Sequence, residues 1–324
     1  MIYIFLFSTL LAIELIYFEL ADRFNIIDIP TKRSSHSCIT LRGGGIVFYL
    51  SVVFYLFFKG FNYPYFFWGL TLITMISFAD DIHSLPVKPR LLVQVIAMLL
   101  MFYQWNLFML PWQLGIVIVI FGIGILNAFN FMDGINGLTG GYCLLVAGAL
   151  CYINLRRVTF IDNELIYTFM LSLLTFNIFN FRSQPRCFAG DVGALSAGFT
   201  LLFMLGQLII RTGSLSYLIL LGVYGVDVIL TIIHRLILKE NIFIAHRMHL
   251  HQLMVNELGI PHLKVSLLYI TTQATIIIGL FMCQAHPYTY SVCVIVILST
   301  AYMLFIKKYF HLHVELLPLL CKRL

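Results

Sequence analysis

Four aspartates, two of them in glycine- or asparagine-rich settings, are the residues of this chain best suited to chemistry. Asp80 and Asp81 are adjacent in "FADDIHSL", Asp133 sits in "NAFNFMDGINGLTGG" behind Asn127 and Asn130, and Asp191 lies between glycines in "FAGDVG". Adjacent carboxylates repel one another, so their joint ionisation favours a divalent cation or a shared proton. Around Asp133, small residues let backbone amides and carboxamides come close to a ligand. Asp191 precedes an apolar run whose free N–H groups attract anions. Each also has a plain structural reading: helix-end solvation for Asp80 and Asp81, an ordinary turn for Asp133, a helix N-cap for Asp191. Three aspartate-bearing loops together point instead to Mg²⁺, which is usually held by one or two carboxylates and substrate phosphates. Lys32, Arg33, Arg42, Lys88, Arg90, Arg182, Arg186 and Arg247 offer anion contacts, although each can equally serve as a topology determinant. The segment "AHRMHLHQ" brings His246, His249 and His251 within a loop running from Lys239 to Lys264. Without a cysteine or HExxH nearby, imidazoles facing a phosphate suit it better than a zinc tract. Asp227 is the one acid deep in a later apolar run, and Glu14 and Glu19 lie nearer a run's end.

The elements that must position these groups are membrane helices. The 324 residues are 61% hydrophobic and 10% charged, with a mean hydropathy of +0.96, too apolar for a water-exposed surface. Apolar runs cover Ile2–Leu20, Gly44–Phe58, Tyr65–Ala79, Leu91–Leu110, Trp112–Phe129, Leu138–Leu155, Leu165–Phe181, Ala194–Ile210, Leu215–Leu238, Val265–Gln284 and Tyr290–Ile306. They predict an all-α, polytopic membrane protein of ten or eleven spans in a single domain, 1–324, because each approaches the roughly 20 residues a helix needs to cross the bilayer. The period-two alternation of a membrane barrel is missing. The first run lacks a basic leader and a small-residue cleavage site, so it is expected to be a retained helix. The seven cysteines are odd in number and lack CxxC spacing, which suggests small core residues.

Counting loops alternately puts all the lysines and arginines except Lys59, Arg156, Arg157 and Arg211 on one side, which the positive-inside rule assigns to the cytoplasm. The Arg156-Arg157 pair violates that rule locally and warns of a miscounted helix. Every aspartate and histidine motif falls on the basic side, whereas the opposite loops "KGFNYP", "RTGS" and "AHPYT" have no comparable density of acids. Loops on a rigid scaffold carry function, and one composite site is expected. GxxxxGK[ST] and GxGxxG are both missing, which argues against a Walker-type ATP machine, and nothing points to a nucleic-acid partner.

In order and spacing, "DD…L…RLLVQ" (Asp80, Asp81, Leu85, Arg90, Gln94), "NxxNFMDGxxGL" (Asn127, Asn130, Asp133), "F-x-GDxG" (Phe188, Gly190, Asp191, Gly193) and the histidine loop resemble the polyprenyl-phosphate N-acetylhexosamine-1-phosphate transferases. "PTKRSSHS" and "AHRMHLHQ" look most like the branch that starts O-antigen or capsule synthesis, often with modified deoxy-sugars. Asn136 departs from the pattern, standing where a second aspartate is frequent and bringing no charge; Leu41 and Ala194 replace a common proline and serine. The resemblance implies transfer of sugar-1-phosphate from a UDP-N-acetylhexosamine to undecaprenyl phosphate at the cytoplasmic face of a bacterial inner membrane, with release of UMP. It further implies Mg²⁺, with Mn²⁺ as a substitute, on Asp191 and Asp80 or Asp81, the other of that pair serving the acceptor and Asp133 completing the catalytic set. Asn127, Asn130, Asn136, Arg90, His246, Arg247, His249 and His251 are then the substrate contacts. Composition leaves a homodimer open. A secondary transporter is the alternative, but it would be expected to show repeat symmetry and broken helices at the midplane, and no repeat is visible.

Overall fold

A computed structural model describes residues 1–30, 35–36, 38–241 and 247–321, with side chains described to residue 309. Each of the eleven apolar runs becomes a helix: α1 (Ile2–Arg23), α2 (Ile46–Lys59), α3 (Pro64–Ile82), α4 (Val87–Gln104), α5 (Trp112–Met132), α6 (Leu138–Arg156), α7 (Asn163–Asn180), α8 (Gly190–Thr212), α9 (Gly222–Ile237), α11 (His262–Met282) and α12 (Pro287–Cys321). The additional α10 (Leu250–Asn256) lies in the histidine loop, and a 3-10 turn (Leu215–Leu221) leads into α9. Among the described residues eight segments are long and apolar enough to cross a bilayer. Among the rest, α2 is only 14 residues long, and α2, α3 and α7 pack against their neighbours within the bundle. The only sheet among the described residues is a two-residue pair, Ile27–Asp28 with Thr40–Leu41.

Local chemistry sets the helix ends. Pro64 and Pro287 open α3 and α12, and Pro111 and Pro261 precede α5 and α11, positions where the missing amide costs nothing. The run read as Leu91–Leu110 starts four residues earlier, at Val87, and stops at Gln104, where Asn106 turns left-handed at φ 55°. The polar first turn of α4 is what moves Arg90 onto a helix.

At the centre of the bundle stands α8, packed by α2, α3, α5 and α6 and buried along most of its length. Small residues permit this, as expected where helices associate in lipid by close packing. A Cβ on Gly45 would lie 2.2 Å from the Cα of Gly193, so α2 and α8 meet backbone to backbone. Thr74 and Ser196 bridge α3 and α8 at 3.0 Å. By contrast α5 and α12 turn most of their apolar surface outward, Trp112, Ile120, Val292 and Ile297 among it, as lipid-facing helices do.

The helix ends meet as the loop parity predicts. One end gathers the C-termini of α3, α5 and α7 with the N-termini of α4, α6 and α8; the other holds Lys59 against Glu164 at 2.8 Å and the Asp162 cluster. Two sequence expectations need correction. The loops named for the second end left out the α6–α7 connection, where Asp162 stands at the N-cap of α7 and Glu164 lies in its first turn. Arg156 and Arg157 mark no miscounted helix: α6 ends there and Arg157 lies over Phe281, 4.9 Å from the ring centroid. The cysteines also divide: Cys143 and Cys187 are core residues, while Cys38, Cys283 and Cys293 are exposed.

Candidate active site

The site is built around the N-terminus of α8. Asp81, in the last turn of α3, accepts the amide of Asp191 at 2.9 Å on Oδ1 and that of Val192 at 3.0 Å on Oδ2. It thus caps α8 from another helix, satisfying two of the orphan donors at a helix start. Gly190 makes this approach feasible. Its φ of +71° suits glycine, and a Cβ there would stand 2.5 Å from Asp81 Oδ2. Arg42, delivered by the strand pair and the glycines that follow it, forms an ion pair from Nε to Asp81 Oδ1 at 2.7 Å and donates from Nη2 to Asp191 Oδ1 at 3.2 Å. Both oxygens of Asp81 are therefore occupied.

Asp80 points elsewhere, since adjacent helix positions diverge by about 100°. Its Oδ1 accepts the Leu85 amide at 2.6 Å, and Oδ2 pairs with Nη1 of Arg90. The same Arg90 nitrogen reaches Asp191 Oδ2 at 3.2 Å, where Asn130 Nδ2 arrives at 3.5 Å. One guanidinium nitrogen thus serves two carboxylates from different helices. Asp133 ends α5 and has the Thr139 hydroxyl at 2.7 Å; burial pushes its carboxyl up to about 7, with the Asp191 charge adding to the rise. A cavity of about 190 Å³ opens among Asp28, Ser35, His36, Arg42, Asn130, Asp133, Gly134, Asn180, Gly190, Asp191 and Gln252.

The structure brings Asp133, Asp191 and Asn130 to the cavity, with Asp80 and Arg90 bound to its Asp191 edge. Other residues expected to touch a substrate are turned to partners in the protein. Asn127 donates to Gln94 at 3.0 Å and to the Ile123 carbonyl at 2.8 Å, tying α5 to α4. Asn136 donates to the carbonyls of Arg182 and Ser183 at 3.1 and 3.2 Å, holding the α7–α8 connection. An amide can do this and a carboxylate cannot, which accounts physically for the missing aspartate. Arg247 pairs with Glu257 at 3.2 Å. His249 and His251 are buried and face Asp227, and His246 lies outside the described residues.

Asp28, His36, Asn180 and Gln252 line the cavity without having been singled out. Gln252 closes the histidine motif and Asn180 opens "NFRSQP", so both stood inside recognised segments. His36 likewise stood inside "PTKRSSHS", while Asp28, just before that segment, gave no signal of its own. Asn180 ties two loops, accepting the Gly137 amide and donating to the Cys187 carbonyl, both at 2.8 Å. Glu14, ranked low for its position, is wholly buried beneath the site with Cys187 Sγ at 3.7 Å.

Among the described residues no group of three acidic, histidine or cysteine side chains is placed to hold a metal ion by itself. Two carboxylates do converge, Asp80 and Asp191, and the donor set is oxygen only. That suits a small hard cation completed by phosphate oxygens, and would not suit a soft one.

The glycosyl transferase family 4 model matches residues 63–209, from the start of α3 through most of α8, and includes every carboxylate of this cluster. Over 282 residues the chain is 26% identical to a probable undecaprenyl-phosphate N-acetylglucosaminyl 1-phosphate transferase of Bacillus subtilis, covering 81% of this chain and 78% of that protein. It is 25% identical to the undecaprenyl-phosphate alpha-N-acetylglucosaminyl 1-phosphate transferase of Yersinia pestis, over 79% of this chain and 76% of the other. A decaprenyl-phosphate N-acetylglucosaminephosphotransferase of Mycobacterium leprae is 25% identical, with 77% and 74% covered. With the membrane bundle and the motifs gathered at its one end, these matches show that the chain is similar, over about four fifths of its length, to the undecaprenyl-phosphate N-acetylglucosaminyl 1-phosphate transferases.

Proposed function

We propose that this enzyme transfers N-acetylhexosamine-1-phosphate from a UDP-sugar to undecaprenyl phosphate, releasing UMP and starting a cell-envelope glycan. The observation that carries the reading is the sharing of Arg90 by Asp80 and Asp191 beside a polar cavity at one end of a membrane bundle. A lipid acceptor keeps its chain in the bilayer while its phosphate meets a soluble donor at that end. The basic residues collected there favour a cytoplasmic face by the positive-inside rule.

Asp80 and Asp191 would hold Mg²⁺, which supplies charge neutralisation on the donor pyrophosphate and the leaving phosphate. Arg42 and Arg90 exchange part of their carboxylate pairing for phosphate oxygens and hold the donor in line. Asp81 keeps α8 and Arg42 in place. An oxygen of the acceptor phosphate attacks the sugar-bearing phosphorus; the bond from that phosphorus to the bridging oxygen breaks, and UMP departs with the oxygen. A phosphate monoester is already mostly dianionic at pH 7, its second pKa being about 6, so the attack needs no covalent enzyme intermediate. Asn130 and Asp133 orient the donor from the α5 side.

The forms "PTKRSSHS" and "AHRMHLHQ" favour an O-antigen or capsule product and leave room for a modified deoxy-sugar. The test uses detergent-solubilised protein with undecaprenyl phosphate, Mg²⁺ and a panel of UDP-sugars. UMP release with a lipid-linked product is expected for an N-acetylhexosamine donor. Absence of release across the panel, or solute uptake without it, overturns the reading.

A further inference from the structure

Asp227 takes no part in the transfer just described, although five groups surround its carboxylate. It lies in α9 and is 3% exposed. A carboxylate in such a place is retained only with partners, and marks a functional or pairing role. Tyr269 of α11 donates its hydroxyl to Oδ2 at 2.6 Å, and Thr231 and the backbone amide of Leu250 reach Oδ1 at 3.2 and 3.1 Å. The two imidazoles complete the shell: His249 Nδ1 stands 3.5 Å from Oδ1 and His251 Nδ1 3.6 Å from Oδ2. Both rings are buried, and His249 stacks on Phe131 of α5 at 5.7 Å.

Three of these five contacts come from the connection between α9 and α11. The edge of His251 opposite Nδ1 faces the turn after α5. A Cβ on Gly134 would lie 3.2 Å from His251 Nε2 and 3.1 Å from Gln252 Nε2, so the segment abuts that turn with no room to spare. Gly134 and Gln252 both line the cavity, next to Asp133. A carboxylate facing the Nδ1 edge of an imidazole at these distances, longer than a hydrogen bond, favours one orientation of the ring.

We propose that Asp227 is a positioning residue: by gripping His249 and His251 it presses residues 249–252 against the Asp133–Gly134 turn and sets the cavity wall that carries Gln252. The role rests on the transfer reaction only for its kinetic consequence. Asp227→Asn keeps the size and one acceptor oxygen but removes the charge that orders the imidazoles. With UDP-N-acetylglucosamine, KM is expected to rise about tenfold while kcat changes by less than about threefold. His251→Asn should behave alike, and the double variant should be no worse than the poorer single, because the two act as one unit. Tyr269→Phe removes a donor to the same carboxylate without touching the segment; it is expected to lower the Tm and leave KM within about twofold.

A kcat loss at unchanged KM, multiplicative loss in the double variant, or an equal KM rise in Tyr269→Phe overturns the assignment. A second arm needs no turnover: acylation of His249 and His251 by diethylpyrocarbonate, followed by peptide mass spectrometry on substrate-free protein. The wild type is expected to react about tenfold more slowly than Asp227→Asn, and equal rates overturn the proposal. Should the wild type release no UMP, the transfer reading fails and the acylation rates alone decide the role of Asp227. Should Asp227→Asn fail to fold, His251→Asn carries the KM test, and an unchanged KM there counts against the proposal.

Discussion

The two ends of the bundle treat their polar groups in opposite ways. At the end away from the cavity, Asp162 accepts from the Tyr55 hydroxyl and from Asn62 at 2.9 Å, while its own amide donates to Tyr63. Nearby, Asn154 receives the amides of Phe160 and Ile161 and donates to Asn163 and the Ile161 carbonyl. These groups saturate one another and hold α2, α6 and α7 together. At the cavity end one Arg90 nitrogen is divided between Asp80 and Asp191, and Asp133 has a single hydroxyl. A knot whose capacity is used up is a fastening. Carboxylates that share donors retain capacity for a cation and for the phosphates it brings.

The contrast can be broken most forcefully at the shared pair. Asp191→Asn or Asp80→Asn is expected to cut UMP release by about 10²–10³-fold, with little change in thermal unfolding. A loss below tenfold would erase the functional difference between the ends. The converse variant is Asp162→Ala, expected to destabilise by about 1–3 kcal/mol through unmet hydrogen bonds while kcat stays unchanged; chemical denaturation and a UMP assay read the two quantities. Asp81→Ala belongs between these cases. Loss of the cap on α8 should cost about 1–2 kcal/mol, and activity should fall less than in Asp191→Asn.

Two smaller effects sharpen the comparison. Asn136→Asp sets a carboxylate against the carbonyls of Arg182 and Ser183, so a loss of about 1–3 kcal/mol is expected, with no gain in rate. The raised carboxyl of Asp133 predicts an acid limb in kcat/KM near pH 7 that flattens in Asp133→Asn. Between the ordinary carboxylate range and about 7 the folded protein holds a proton that the unfolded chain releases, so this group makes stability fall as pH rises through that window. A limb that persists in the variant would place the titrating group elsewhere.

Much of this was legible before any coordinates. Hydropathy located all eleven long helices, and loop parity gathered Asp80, Asp133 and Asp191 at one end, because bilayer thickness and lysine-arginine bias act on the chain directly. Helix starts were misjudged where a polar first turn continues the helix, as at Val87–Arg90 and Gly190–Gly193. The seven-residue α10 left no periodic trace of its own. Side-chain direction was hidden for a different reason. Asp80 and Asp81 are indistinguishable as letters, and only the docking of α8 against α3 decides which becomes a cap. Asn127 and Asn136 were expected beside Asn130 as substrate contacts, yet Gln94 and the α7–α8 connection claim them. Burial by distant partners is a tertiary property that spacing does not encode.

The claim on which the account turns is that Asp80 and Asp191 hold one divalent cation together with donor phosphates. Electron paramagnetic resonance of Mn²⁺ titrated into detergent-solubilised protein with UDP-N-acetylglucosamine tests it directly. One bound ion per chain is predicted for the wild type and for Asp162→Ala, with binding lost in Asp80→Asn and in Asp191→Asn. Undiminished Mn²⁺ binding in those two variants would contradict it.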